Sequence, residues 1–254
     1  NTLKILDVVF LGPNNLVHFR ALSAYAVAGL LDDGIGLKGF NKKSRVRGDC
    51  AMRIQMKNIL CATDFSDFSN HTIPYGVALA KEFDAKLYIC HVIDLSAIAI
   101  YGEFQLNPVD QQSRIKKEAG EQLDRLIGEQ PVKWEPLITV GHTADEVSRL
   151  VVEKGIDLVI AATRGRSGLK RLILGSVTER LMRILSCPLL VVQSPEHEFV
   201  DPINQEIRLK RILVGCDFSP DSDLAFQHAL SLAQEFEADL HLAHVVEPSV
   251  ANEL

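Results

Sequence analysis

One segment of the chain occurs twice. Residues 57–94 read KNILCATDFSDFSNHTIPYGVALAKEFDAKLYICHVID, and residues 210–247 read KRILVGCDFSPDSDLAFQHALSLAQEFEADLHLAHVVE. The two align without a gap at an offset of 153 residues, and 15 of 38 positions are identical. A repeat at domain spacing means two copies of one fold. The sequence ends at Leu254, shortly after the second copy of the segment. The expected organisation is therefore a complete domain over 56–194, a linker over 195–208 and the first part of a second domain over 209–254. Residues 1–55 do not share the pattern. They read as an N-terminal extension of unknown role, with a strand at 8–11, a short helix at 22–31, and Met52 and Met56 as alternative starts.

From Met56 onward apolar runs alternate with amphipathic stretches. Strands are expected at 58–62, 86–93, 134–140, 157–162 and 188–192, because each is a short apolar run bounded by turn residues. Helices are expected between them. Ile73, Val77, Ala80 and Phe83 recur at helical spacing, as do Ile115, Ala119, Leu123 and Leu126 in a charged helix over 108–129. Residues 66–70 are cap material, and 96–106 read as a loop. Thr143 and Glu146 have the spacing of a capping box, opening a helix that Gly155 ends. A further helix is expected over 176–185. Alternation of this kind gives right-handed crossovers and a parallel sheet covered on both faces.

Charge and cysteines narrow the function classes. The net charge of −6 gives no reason to expect a nucleic-acid partner. No apolar run reaches the length of a membrane span. The five cysteines, Cys50, Cys61, Cys90, Cys187 and Cys216, lack paired spacing. Those inside apolar strands read as small hydrophobes of a reducing cytoplasmic compartment.

The segment after the fourth strand carries the most chemistry. It runs Ala162-Thr163-Arg164-Gly165-Arg166-Ser167-Gly168 and continues to Gly175-Ser176-Val177-Thr178. Glycines permit close backbone approach, and Gly175-Ser176 stands where the next helix begins. Free amides and the positive end of the helix dipole suit a phosphate there. A plain strand–helix loop with a glycine turn fits the same residues. The glycine spacing is neither that of a P-loop nor that of a Rossmann fingerprint. Ser167 does not form a nucleophile elbow. His241 and His244 lie three apart on a strand and point to opposite faces, so they make a poor metal pair. A strand-end histidine bonded to nearby backbone is the expected role of His91 and His244. Asp64 and Asp217 are lone carboxylates, one per repeat, without a partner for acid–base work.

Taken together these residues resemble the universal stress protein family, over 56–192 as a full domain and 208–247 as the opening of a second. The family's nucleotide motif, G-x2-G-x9-G-[ST], reads here Ala162-x2-Gly165-x9-Gly175-Ser176, with alanine in place of the first glycine. Asp64 in Ala62-Thr63-Asp64 and Val92, in His91-Val92 at the end of the second strand, also match. The resemblance implies a doubly wound α/β fold with a five-stranded parallel sheet in the order 3-2-1-4-5, plus a β-α-β start of a second sheet. It implies an adenine nucleotide, ATP or AMP with or without Mg, as ligand. The backbone of Thr163–Gly165 and Gly175–Val177 would hold phosphates, with Arg164 nearby and the hydroxyls of Ser176 and Thr178 assisting. Asp64 would take a hydroxyl or base edge, and Val92 would meet adenine through its backbone. Asp217 and Val245 are the second-copy equivalents. It further implies action by association rather than turnover, with self-association through sheet edges as an internal pseudo-dimer or a homodimer. Two alternatives stand beside this reading. Ala162 admits a nucleotide-free structural protein, and the same pocket admits a slow ATPase or phosphotransferase.

Overall fold

A computed structural model describes residues 55–94, 108–163, 175–192, 199–201 and 203–244. The sequence readings for 8–11, 22–31 and 96–106 lie outside these residues.

The elements follow one another as β1 (Asn58–Ala62), α1 (Asp67–Asn70), α2 (Thr72–Phe83), β2 (Lys86–Ile93), α3 (Pro108–Ile127), β3 (Trp134–Val140), α4 (Thr143–Lys154), β4 (Leu158–Ala162), α5 (Ser176–Ile184) and β5 (Leu189–Val192). After these come β6 (Arg211–Gly215), α6 (Pro220–Glu235) and β7 (Asp239–Ala243). The first five strands form one parallel sheet in the order β3-β2-β1-β4-β5. The order is the one the resemblance implied, with β1 in the middle. Strands β6 and β7 form a separate parallel pair.

Side chains alternate between the two faces of a strand, and here both faces are apolar. Ile59, Cys61, Leu87, Ile89, Leu158 and Ile160 join one core layer with α2 and α3. Leu60, Tyr88, Cys90, Val92 and Val159 join the other with α4 and α5. Strands β1, β2, β4 and β5 therefore read as nearly unbroken apolar runs, while the edge strand β3 is only partly covered. Gly76 lets α2 sit close to the sheet: a β-carbon there would stand 2.3 Å from Cys61 Sγ.

Helix α4 ends as its sequence says, with Gly155 in the left-handed region at φ 60°. Its start corrects the sequence reading. The N-cap is His142, with no capping side chain, and Thr143 lies already inside the helix. Glu146 has other partners: its Oε2 accepts from Thr139 Oγ1 at 2.6 Å and from the Arg149 guanidinium. These bonds hold its carboxyl below the usual range. The capping-box pattern is present, but β3 and Arg149 compete successfully for the glutamate.

The second segment packs on the first domain. Phe199, Val200, Leu209, Ile212, Val214 and Leu232 belong to the same core cluster as α2 and α3 residues. Within the 195–208 stretch, Val200 pairs with Ile207 in an antiparallel bridge. Among the described residues, β5 and the β6–β7 pair are not joined into one sheet. The described ring contact between the copies, Phe83 with Phe236, runs through α2 and not through a sheet edge, and the linker's Phe199 meets Tyr75 of the same helix.

Candidate functional site

Strands β1, β2 and β4 are parallel neighbours, so their carboxyl ends open at one edge of the sheet. The first corner there is built by the residues after β1. Thr63 N–H donates to Cys90 O at 2.9 Å. The Thr63 hydroxyl donates to Asn70 Oδ1 at 2.9 Å and accepts from Phe65 N–H at 3.0 Å. Asp64 Oδ1 accepts from Ser66 N–H at 3.0 Å, Ser66 Oγ at 2.6 Å and Ser69 Oγ at 2.7 Å. Ser66 in turn caps α1. One oxygen of Asp64 is thus used within the turn, which fixes the carboxylate where the chain leaves the sheet.

Phe65 lies in the left-handed region at φ 64°, a strained place for a bulky side chain. Two contacts hold it there. Its N–H bonds the Thr63 hydroxyl, and its ring rests on His91 with centroids 4.2 Å apart. His91 Nδ1 donates to Thr63 O at 2.9 Å, the backbone bond expected of a strand-end histidine. Val92 follows, two residues past the end of the β1–β2 register at Ala62 and Cys90. Its side chain is buried.

The second copy builds the same corner. Phe218 has φ 63° and rests on His244 at 4.6 Å. His244 Nδ1 donates to Cys216 O at 2.7 Å. Asp217 Oδ1 accepts from Ser219 N–H at 2.9 Å. Bonds from the Ser219 side chain and backbone, and from Ser222, hold the Asp217 carboxyl down to about 2. The copies differ in Cys216, which replaces Thr63, and in exposure, since Phe218 is 79% exposed. Val245 lies outside the described residues.

Phe65, Ser66 and Ser69 were not among the candidate ligand residues, whereas His91 was expected as a strand-end histidine bonded to backbone. The repeat was the signal: Asp-Phe-Ser, the serine three residues on and the histidine are identical in both copies.

The second wall is the base of the loop after β4. Thr163 N–H donates to Val192 O at 3.0 Å, and Thr163 O accepts from Gly175 N–H at 2.7 Å. Thr178 is buried, and its hydroxyl donates to Ala162 O at 2.7 Å. These bonds bring the two ends of the loop together. They also occupy the N–H groups of Thr163 and Gly175 and the Thr178 hydroxyl, three of the donors assigned to phosphates by resemblance. Arg164 and Gly165 lie outside the described residues. Helix α5 then starts at Ser176 with Gly175 as N-cap and no capping side chain. Its first-turn N–H groups, on Ser176, Val177 and Thr178, stand at the positive end of the helix dipole without an internal partner. Ser176 and Val177 are exposed.

Among the described residues, no group of three His, Cys, Asp or Glu side chains is placed to hold a metal ion. Cys61, Cys90 and Cys187 are free and buried. Burial pushes the Cys90 and Cys187 thiols up to about 12. No described helix is long and apolar enough to cross a membrane.

A doubly wound sheet with a capless helix start beyond β4 and an Asp-Phe-Ser corner beyond β1 defines a class, and comparison with known proteins agrees. The model of the universal stress protein family matches residues 56–193 and 208–253. The chain belongs to that family. It is 33% identical over 149 residues to universal stress protein MJ0531 of Methanocaldococcus jannaschii, covering 56% of this chain and 85% of that protein. It is 32% identical over 146 residues to universal stress protein YxiE of Bacillus subtilis, covering 53% of this chain and 97% of that protein. A universal stress protein structure from Archaeoglobus fulgidus shares the fold over 78% of this chain and 70% of that one, with a TM-score of 0.58 at 22% identity.

Proposed function

We propose that the first copy binds an adenine nucleotide, ATP or AMP, and that the protein acts in the cytoplasm through ligand-dependent association rather than turnover. The observation that carries this reading is the start of α5. A helix end with no capping side chain, placed at the carboxyl ends of a parallel sheet, offers amides and dipole to an anion. Gly175 has φ −66° and ψ 148°, a conformation open to any residue, so its lack of a side chain serves close approach rather than backbone strain.

The bonds already made narrow the roles. Thr163, Gly175 and Thr178 shape the loop by closing its base. The N–H groups of Ser176, Val177 and Thr178, with the Ser176 hydroxyl, take the phosphates. Arg164 and the backbone of Gly165 complete that half. At the other corner, Ala62, Thr63, Asp64 and the backbone of Val92 face the nucleoside, and Asp64 is oriented by Ser66 and Ser69. A divalent cation, where present, is held by the phosphates themselves.

Ala162 favours a second reading, a nucleotide-free structural protein, because a methyl group stands where the family motif has glycine. Titration calorimetry of the full chain with ATP, AMP and inorganic triphosphate separates the two. The expected result is ATP binding that Gly175→Val weakens at least about tenfold, since two γ-methyls would crowd the phosphates. Absence of binding by the unaltered, folded chain would leave the structural reading in its place. Hydrolysis of bound ATP that Gly175→Val abolishes would instead support an ATPase.

A further inference from the structure

The ladder between β1 and β2 stops one rung early. Thr63 N–H donates to Cys90 O at 2.9 Å. In a parallel ladder the carbonyl of that same residue would next accept from Val92 N–H. Among the described residues that bond is not made. Thr63 O accepts instead from His91 Nδ1, at 2.9 Å. Backbone groups of an inner strand alternate between its two neighbours. Cys90 O meets Thr63 on the β1 side, and Ile93 O meets Gly141 on the β3 side. Val92 therefore turns both its N–H and its C=O toward the space beyond β1. The residue is only 8% exposed. A backbone N–H so placed, with no protein acceptor, is uncommon in folded chains and marks a place for a partner.

The imidazole that replaces the rung is itself held. The Phe65 ring rests on it at 4.2 Å, with Phe65 in the left-handed region at φ 64°. Phe65 N–H reaches the Thr63 hydroxyl while His91 reaches the Thr63 carbonyl, so the two residues grip Thr63 from its side chain and from its backbone. The second copy repeats the backbone half. His244 Nδ1 donates to Cys216 O at 2.7 Å under the ring of Phe218, although cysteine there replaces threonine. The bond from imidazole to carbonyl is thus the part that survives the change of side chain.

We propose that His91 is a positioning residue for base recognition: by taking the Thr63 carbonyl, it keeps the Val92 N–H open to a ring nitrogen of a bound nucleotide. The inference rests on the nucleotide reading of the first copy. Two variants of the full chain test it. His91→Phe keeps a ring against Phe65 but removes the donor, and His91→Asn keeps a side-chain N–H. Amide exchange followed by NMR gives a readout without ligand. Val92 N–H should exchange faster than Cys90 N–H in the unaltered chain. In His91→Phe it should slow at least about tenfold as the missing rung forms, and in His91→Asn it should stay fast. Titration calorimetry gives the second readout. His91→Phe should weaken ATP about tenfold while inorganic triphosphate stays within about twofold, and His91→Asn should keep the ATP affinity. An unchanged Val92 exchange rate in His91→Phe would overturn the proposal. So would equal losses of ATP and triphosphate, which would mean a damaged site rather than a misplaced base. ATP binding that His91→Phe leaves unchanged would overturn this role alone, whereas absence of ATP binding in the unaltered chain would overturn the nucleotide reading and this role with it.

Discussion

Gly76 shows what a single atom does in this fold. A β-carbon there would stand 2.3 Å from Cys61 Sγ and 2.9 Å from Leu87 Cδ1, both in the buried face of the sheet. Alanine is the better helix former by about 1 kcal/mol, yet overpacking a closed core costs about 1–3 kcal/mol. Gly76→Ala is therefore expected to destabilise the chain in urea unfolding, and a midpoint equal to or above that of the unaltered protein would contradict the packing argument. The candidate site was partly legible at this scale. Asp64, Gly175 and Ser176 stand out by residue type and spacing. Thr178 does not reveal its part, because a threonine in a first helical turn looks the same whether its hydroxyl meets a ligand or, as here, the Ala162 carbonyl. Phe65 hides for another reason: no pattern announces a left-handed phenylalanine, and only its return in the second copy marks it.

Among the elements, the strands and helices of the first domain were readable because β1, β2, β4 and β5 are buried on both faces and each helix keeps an apolar stripe. The start of α4 was not, since Thr139 and Arg149 reach Glu146 only through the tertiary fold. Helix α6 makes a prediction about pH. Burial lowers the pKa of His228 below its ordinary value near 6.5. The unfolded chain then takes up the proton first as pH falls. The folded state should be most stable, as far as this group is concerned, above that value, and lose stability as pH drops below it. Thermal melts between about pH 8 and 5 should show this slope, and His228→Tyr, which copies Tyr75, should flatten it. An equal slope in both proteins would assign the effect to other groups.

At the scale of the whole molecule, the repeat told that two copies exist but not how they meet. That depends on which faces remain uncovered, and Leu213 and Leu242 show the imbalance. They are 39% and 60% exposed, whereas their repeat-mates Leu60 and Ile89 are fully buried. Among the described residues, β6 pairs only with β7, while β1 has a strand on each side. Native-state hydrogen exchange should therefore be faster at the amides of β6 and β7 than at those of β1 and β2. Equal protection would mean that the second copy is as well supported as the first. The buried sulfurs add a consequence. Cys61, Cys90 and Cys187 are sealed within the first domain, and Cys216 is half-buried in the second copy. Only a thiolate reacts readily with alkylating reagents, and these three thiols must be uncovered before one can form. The chain thus carries its own chemical clock: modification of Cys61, Cys90 and Cys187 records when the first domain opens.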